Sequence, residues 1–190
     1  APRFFAQIQD LVAEGRWEIV GGWLVESDCN LPRGESLVRQ ALYSRAFLRQ
    51  HFQVEVCTAY CPDAFGHCGG LPKILRATGF ERYVFSKPRL GDRSPHLFRW
   101  RADDGSEVLA WRMVGGYATG PETDADALER ELRQACQRLG PSQHSAFFLG
   151  LGDHGGGPSA KQIERVLSLA GCLPEVVIQF STLDRFFRAA

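Results

Sequence analysis

Two aspartates stand where a predicted strand gives way to a glycine-containing loop. Asp63 lies in YCPDAFGH, after the β-rich segment 54–60, and Asp153 lies in LGLGDHGGGP, after the continuous apolar segment 146–151. Two carboxylates that face one pocket are the equipment for glycoside hydrolysis, one as nucleophile and the other as general acid and then base. Asp63 could instead close an Asx-turn or cap the helix predicted near Leu71, and these residues alone leave both interpretations open.

The loop that carries Asp153 is rich in glycine, with five glycines within residues 150–157. Such a loop lets the backbone approach a ligand closely, as phosphate-binding loops do. It matches neither the GxxxxGK[ST] pattern nor the GxGxxG fingerprint of nucleotide sites. A nucleotide-binding α/β protein therefore stays only as an alternative.

A third segment, residues 21–40, joins a glycine pair to Trp23 and to the acidic residues Glu26 and Asp28. Aromatic rings and carboxylates together suit a sugar site, where rings stack and carboxylates accept hydroxyl protons. Taken alone, the segment favours a simpler interpretation, in which Trp23 is in the core and the acids are solvated.

The cysteines favour a reduced, cytoplasmic protein. Six are present, at positions 29, 57, 61, 68, 136 and 172. They could form three disulfides, but a chain of this size does not need them and shows no export signal. Cys57, Cys61, His67 and Cys68 cluster, yet they lack the separated second ligand pair of a structural zinc site.

The elements that must position these residues alternate between apolar strands and amphipathic helices. The predicted helices are residues 4–14, 35–52, 71–78, 125–139, 160–170 and 182–188, and the predicted strands are residues 17–25, 54–60, 82–86, 96–101, 107–111, 146–151 and 176–180. This alternation predicts an α/β fold with a mostly parallel sheet flanked by helices. Ligands of such folds bind at the carboxyl ends of the strands, where both aspartates stand.

Composition excludes several classes of partner. The 190 residues correspond to about one domain, and 22 basic residues balance 22 acidic ones. This balance argues against a nucleic acid or a membrane surface as a partner, and it leaves a homo-oligomer possible. The sequence has no apolar run of the ~20 residues that span a bilayer and no secretory signal. It also lacks an initiator Met, so we expect it to begin inside a longer protein.

Taken together, these segments resemble glycoside hydrolase family 38, the α-mannosidases, and most closely its cytosolic and bacterial branch. The resemblance is carried, in order, by WEIVGGWLVE (17–26), NLPRGESLVRQ (30–40), DAFGH (63–67), LPKIL (71–75) and GDHGGGP (152–158). It covers nearly the whole chain. It implies an irregular β/α barrel of the glycoside hydrolase/deacetylase type and one zinc ion. It also implies hydrolysis of terminal α-linked mannose in oligosaccharides by a double displacement that retains configuration.

The resemblance also implies roles for five residues. Asp63 would be both a zinc ligand and the nucleophile, and Asp153 would be the acid/base. Phe65 would pack under the sugar, while Glu26 and Lys87 would line the pocket. His154 stands where many relatives have Gly, and its role is open.

The sequence departs from the family pattern at the metal. The other zinc ligands of the family are a His-x-Asp pair on the first strand and a His in a later His-Asp motif. No His precedes His51, and nothing after Pro158 resembles the later motif, so only Asp63 of four ligands is present. Zinc needs three or four donors in fixed geometry.

We therefore expect residues 1–190 to be a partial catalytic domain without the first strand and the C-terminal regions. Alone, it should bind zinc poorly and hydrolyse little, while the whole protein is the enzyme. A carbohydrate-binding relic that has lost its metal site is the alternative within the same family.

Overall fold

The computed structural model describes residues 2–88, 95–117, 125–137, 143–151, 156–173 and 176–190. Within these residues the helices are α1 (Pro2–Ala13), α2 (Gly34–Phe52), α3 (Leu71–Ala77), α4 (Ala125–Gln137), α5 (Ala160–Cys172) and α6 (Leu183–Ala189). The strands are β1 (Thr58–Cys61), β2 (Arg82–Phe85), β3 (Leu97–Arg101) and β4 (Glu107–Arg112). The chain divides into two compact units, residues 1–112 and 113–190, and each is described by itself.

The first unit is built on one sheet with the strand order β1-β2-β4-β3. The pairs β1–β2 and β2–β4 are parallel, and β3–β4 is an antiparallel hairpin. The hairpin turn is closed by the N–H of Ala102, which donates to the carbonyl of Ser106 at 2.9 Å, and Gly105 adopts φ +84° there. The predicted α/β class is thus confirmed, and the predicted strands 96–101 and 107–111 form this hairpin.

The core of this unit lies between the sheet and helices α2 and α3. Tyr83 of β2 and Leu37 of α2 are almost wholly buried, as are Leu71 and Leu75 of α3. Phe80, just before β2, is also fully buried. These buried side chains fix the sheet against α2 and α3, and the loops after β1 and β2 emerge at its carboxyl edge.

In the second unit, helices α4 and α5 pack against each other through their apolar faces. Its core consists of Leu128, Leu132, Val166 and Leu169, with Phe147, Leu149 and Ile178 packed against them. A capping box starts α5, since Gln162 N–H donates to Ser159 Oγ at 3.2 Å and Ser159 N–H donates to Gln162 Oε1 at 2.9 Å. Thr182 caps α6, since its side chain accepts from the N–H of Arg185 at 3.3 Å.

Three predicted strands are not strands. Residues 17–25 make one backbone bond to β1, from Gly21 N–H to the Thr58 carbonyl at 3.0 Å, and Gly21 and Gly22 both have positive φ. In residues 146–151 and 176–180, Phe147, Leu149 and Ile178 pack against the second core, and neither segment forms a ladder with a strand among the described residues. An apolar run in the sequence is typical of a buried segment, but the segment is a strand only if its backbone pairs with a neighbouring strand.

The described helices include none that is both long enough and apolar enough to cross a membrane.

Candidate functional site

Asp63 and Lys87 meet because the two strands that precede them end side by side. The parallel register of β1 and β2 pairs Cys61 with Phe85. Asp63 follows Cys61 by two residues and Lys87 follows Phe85 by two, so both side chains start at the same level beyond the sheet. The carboxyl edge of a parallel sheet is where such loops bring ligand-binding groups together.

The carboxylate of Asp63 forms an ion pair with the ammonium of Lys87. Glu26 contacts the backbone of Asp63, since Glu26 Oε1 accepts from the Asp63 N–H at 2.6 Å. The Asp63 side chain is 45% exposed and that of Lys87 is 31% exposed. Asp63 is therefore held at its backbone and its carboxylate while it still faces solvent.

Phe65 places an open aromatic face beside this ion pair. Its side chain is 77% exposed, which is unusual for a ring of that size. The Lys87 ammonium lies 4.1 Å from the ring centroid, within the range of a cation–π contact. Four of the five predicted site residues (Glu26, Asp63, Phe65 and Lys87) thus lie together at the carboxyl end of β1 and β2.

A cleft of about 270 Å³ adjoins these residues. It is lined by residues 20–26 together with Tyr60 and Pro62. Glu26 therefore forms part of its wall, and Asp63 is the residue directly after Pro62 in the sequence. This volume lies close to the lower end of the range for small-molecule sites, roughly 300–1,000 Å³.

Trp23 also lines the cleft, but it is mainly a core residue. Its ring is partly buried and lies 5.7 Å from the ring of Phe80, centroid to centroid. Its indole N–H is buried without a hydrogen-bond partner among the described residues. This matches the simpler interpretation of Trp23 given above, and the open aromatic face of the site is Phe65 instead.

The loop that follows Glu26 is docked onto the loop that carries Asp63. Asp28 Oδ1 accepts from the N–H groups of Leu31 (2.8 Å) and Asn30 (2.7 Å), and these backbone bonds lower the pKa of Asp28. A Cβ at Gly66 would lie 2.3 Å from Asn30 Nδ2, so the exposed Asn30 side chain would have to turn away. Asp28 therefore shapes its own loop, as an acidic residue in a turn commonly does.

Sequence reasoning missed a buried hydrogen-bond network under the site. Tyr83 of β2 lies with its hydroxyl 3.0 Å from His67 Nδ1, and His67 Nε2 donates to the backbone carbonyl of Lys87 at 2.7 Å. The sequence singled out His67 only as a possible zinc ligand. The sequence shows that His67 follows Asp63 by four residues, but only the fold brings its ring to Tyr83.

Two thiols complete this network. The Sγ atoms of Cys29 and Cys61 lie 3.6 Å apart, and Cys29 Sγ lies 3.8 Å from the Tyr83 hydroxyl. The hydrogen bond between the thiols lowers the pKa of Cys29 and raises that of Cys61. Burial raises the pKa of Tyr83 well above its usual value, so its hydroxyl stays protonated and can donate.

The described residues do not complete a zinc site. Asp63 supplies one carboxylate of a kind that binds zinc. Across the described ranges, however, no group of three or more His, Cys, Asp and Glu side chains could hold a metal ion. One donor is too few to hold zinc, which needs three or four.

The second predicted carboxylate, Asp153, lies outside the described residues, as does His154. The residues on either side are described. Leu151 N–H donates to the Gly156 carbonyl at 2.9 Å, and Gly156 N–H donates to the Leu151 carbonyl at 3.1 Å. A Cβ on Gly156 would lie 2.8 Å from the Leu151 Cβ, so glycine is needed for this close approach.

Known proteins similar to this chain agree on one family. The sequence profile described as "Glycosyl hydrolases family 38 N-terminal domain" matches residues 1–190. Alpha-mannosidase 2C1 of Homo sapiens is 34% identical over 99% of this chain, and Alpha-mannosidase G of Dictyostelium discoideum is 32% identical over 98%. The chain spans only 18% and 17% of the lengths of these two relatives.

Solved structures agree on the fold. An alpha-mannosidase from Enterococcus faecalis matches 99% of this chain and 22% of its own with a TM-score of 0.82 at 22% identity. A 4-alpha-glucanotransferase from Thermococcus litoralis matches all of this chain and 29% of its own with a TM-score of 0.65 at 15% identity.

Proposed function

The chain belongs to glycoside hydrolase family 38, and on that premise we propose that the protein containing it is a retaining α-mannosidase. Its substrate is a mannose-containing oligosaccharide with terminal α-linked mannose. A cytoplasmic location is part of the proposal, supported by six cysteines that are all free thiols in the structure.

One observation carries the proposal. A half-exposed carboxylate, Asp63, is held at the carboxyl end of a parallel strand by Lys87 and by the contact of Glu26 with its backbone. An exposed ring, Phe65, lies beside it. A fixed carboxylate next to an open aromatic face is what a glycosidase needs to attack a sugar that it holds by stacking.

The residues act in two steps. In the first, the Asp63 carboxylate attacks the anomeric carbon while Asp153 gives its proton to the departing glycosidic oxygen, which leaves a mannosyl ester on Asp63. In the second, Asp153 takes a proton from water, the water attacks the same carbon, and Asp63 leaves as a carboxylate. Two inversions give overall retention. The mechanism requires the two carboxyl groups to lie about 5 Å apart.

Lys87, Phe65 and Glu26 prepare Asp63 for this role. The Lys87 ammonium stabilises the ionised, nucleophilic form of the carboxylate, since an opposite charge in contact favours the charged form. Phe65 receives the apolar face of the mannose ring. Glu26 fixes the backbone of Asp63 through its N–H, so the carboxylate does not have to reorganise as the sugar binds.

Zinc dependence is part of the proposal for the whole protein. Asp63 would be one ligand, and the remaining ligands lie outside this chain. When bound, zinc would supply a Lewis acid that helps to hold the mannose ring through its hydroxyls. With one ligand of the expected four, residues 1–190 alone should show little zinc binding and little or no turnover.

The test is hydrolysis of an aryl α-mannoside by the full-length protein, with and without a chelator. We expect turnover that the chelator abolishes, and loss of turnover together with weaker zinc binding in Asp63→Asn. Near-normal activity of Asp63→Asn would remove Asp63 from the mechanism. Sugar binding without turnover in the wild type would favour the carbohydrate-binding relic.

A further inference from the structure

We propose that His67, hydrogen-bonded to the Lys87 carbonyl through Nε2 and to Tyr83 through Nδ1, is a positioning residue that keeps the Lys87 side chain directed at Asp63. This inference deepens the proposed function and rests on it, because it assigns the group that keeps the ion pair of the nucleophile in place. His67 acts on Asp63 indirectly, through its hydrogen bond to the backbone carbonyl of Lys87.

The partners of His67 determine its tautomer. The Lys87 carbonyl can only accept, so the atom 2.7 Å from it, Nε2, must carry the hydrogen. Nδ1 of the neutral ring is then an acceptor, and the Tyr83 hydroxyl at 3.0 Å donates to it. Burial raises the pKa of Tyr83, which keeps that hydroxyl protonated. Both ring nitrogens are therefore satisfied in one tautomer.

Aromatic packing holds the imidazole ring in place. The centroid of the His67 ring lies 4.9 Å from that of Phe85, 5.4 Å from that of Tyr83 and 6.0 Å from that of Trp100. All three pairs meet edge to face. A ring enclosed by three others has little freedom to turn, so its Nε2–H points at a fixed place.

Lys87 needs such a tether because it lies beyond the sheet. The ladder between β1 and β2 ends at Phe85, so pairing does not fix the backbone of the next residues. The bond from His67 restrains the Lys87 carbonyl, while the Lys87 side chain reaches Asp63. Asp63 and His67 share one loop, so this bond ties the loop after β1 to the chain after β2 (the two halves of the site).

Two substitutions separate positioning from general stability. In Gln, the side-chain nitrogen occupies about the place of imidazole Nε2, and in Asn it occupies about the place of Nδ1. Both substitutions remove the aromatic ring. His67→Gln keeps a hydrogen-bond donor for the Lys87 carbonyl, whereas His67→Asn lacks that donor. A purely structural role of the ring predicts equal damage from the two.

The experiment measures kcat and KM of the full-length protein on an aryl α-mannoside, with thermal midpoints for every variant. We expect His67→Asn to lower kcat by about 10–100-fold with KM nearly unchanged, as for a misplaced catalytic group. His67→Gln should restore most of kcat. Equal loss in both variants, or losses of kcat that follow the thermal midpoint, would overturn the proposal.

Tyr83→Phe provides a second variant in case His67→Asn does not fold. It removes the hydroxyl that is hydrogen-bonded to Nδ1 of His67 and should lower kcat several-fold, while an unchanged kcat would contradict the role given to Tyr83. Tyr43→Phe is the matched control, because its hydroxyl is on the surface, 3.4 Å from Arg39. It should behave as the wild type.

A crystallographic arm separates this inference from the proposed function. If the wild type hydrolyses no mannoside, the proposed function fails, but crystal structures of the full-length His67 variants still test the positioning. We expect the contact between Lys87 Nζ and Asp63 Oδ1 to persist in His67→Gln and to be lost in His67→Asn. Its persistence in His67→Asn would overturn the inference by itself.

Discussion

The ammonium of Lys87 contacts the carboxylate of Asp63 across 24 residues of sequence. The pair forms because each residue stands two positions beyond the last paired residue of its strand, in two parallel strands that are direct neighbours. The same ammonium lies over the ring of Phe65. The proposed nucleophile, its charge partner and the proposed sugar platform are thus one contact group.

Removal of the charge of Lys87 should weaken catalysis far more than it weakens the fold. Lys87→Met keeps the length of the side chain but leaves Asp63 without its cation, and we expect kcat/KM of the full-length protein to fall by about 100-fold. Lys73→Met is the matched control, since Lys73 also pairs with an aspartate, Asp104, at 3.5 Å on an exposed surface. An equal effect of both substitutions would show that the Lys87 pair has no special role.

Truncation of Phe65 should affect substrate binding without loss of stability. The ring is 77% exposed, so Phe65→Ala removes little buried area, but it removes the platform for the sugar. We expect KM to rise by about tenfold, which corresponds to about 1.4 kcal/mol. Leu31→Ala, at a residue that is 86% exposed, is the control and should leave KM unchanged. An unchanged KM in Phe65→Ala would show that the sugar lies elsewhere.

Gly22 should tolerate no side chain, since its backbone and its surroundings both exclude one. It has φ +62°, and a Cβ there would lie 2.6 Å from the ring of the buried Phe80. Gly22→Ala should therefore lower the thermal midpoint of the full-length protein clearly more than Gly105→Ala does. Gly105 has φ +84° but no atom within 4 Å of an added Cβ, so it isolates the backbone strain, about 1 kcal/mol or more. Equal midpoints for the two variants would rule out the clash with Phe80.

Acid should weaken the attachment of α2 to the segment before β1. Glu55 pairs with Arg49 at 2.5 Å and Arg45 at 2.8 Å, and the bond from Arg49 is the main reason that its pKa is lowered. A lowered pKa in the folded state gives stability that is present above the unfolded value, about 4.3, and is lost as the pH falls through the folded value.

Glu55→Gln tests this dependence. The wild type should have a higher thermal midpoint than Glu55→Gln near neutral pH, and the difference should shrink below about pH 4. Glu35→Gln, which removes an exposed pair between Glu35 and Arg39 within α2, is the comparison for a surface ion pair. A difference that stays constant down to pH 3 would contradict the assignment to Glu55.

Sequence patterns could predict the site better than they predicted the strands. Asp63 and Lys87 follow strands whose apolar pattern is clear, so their convergence depends only on parallel pairing of neighbours. Residues 146–151 are as apolar as a strand, but Phe147 and Leu149 pack against helices, and a pattern of burial cannot distinguish the two.

The network below the site could not be predicted, because it depends on three-dimensional packing. Tyr83 has the pattern of an ordinary core residue of β2, and only the fold shows that its hydroxyl meets His67. Trp23 is the opposite case, since the favoured interpretation of its segment already placed it in the core, where it lies against Phe80. Sequence spacing can assign a residue to a helix or a strand. The hydrogen bonds of its polar atoms depend on residues of other elements, which only the fold brings close.

Identification of the residue that carries the covalent intermediate tests the central claim most directly. Full-length protein can be treated with a fluorinated mannosyl substrate that forms the glycosyl ester faster than water cleaves it, then digested and sequenced by mass spectrometry. We predict that one mannosyl adduct is found and that it is attached to Asp63. An adduct on any other residue, with Asp63 unmodified, would contradict the account.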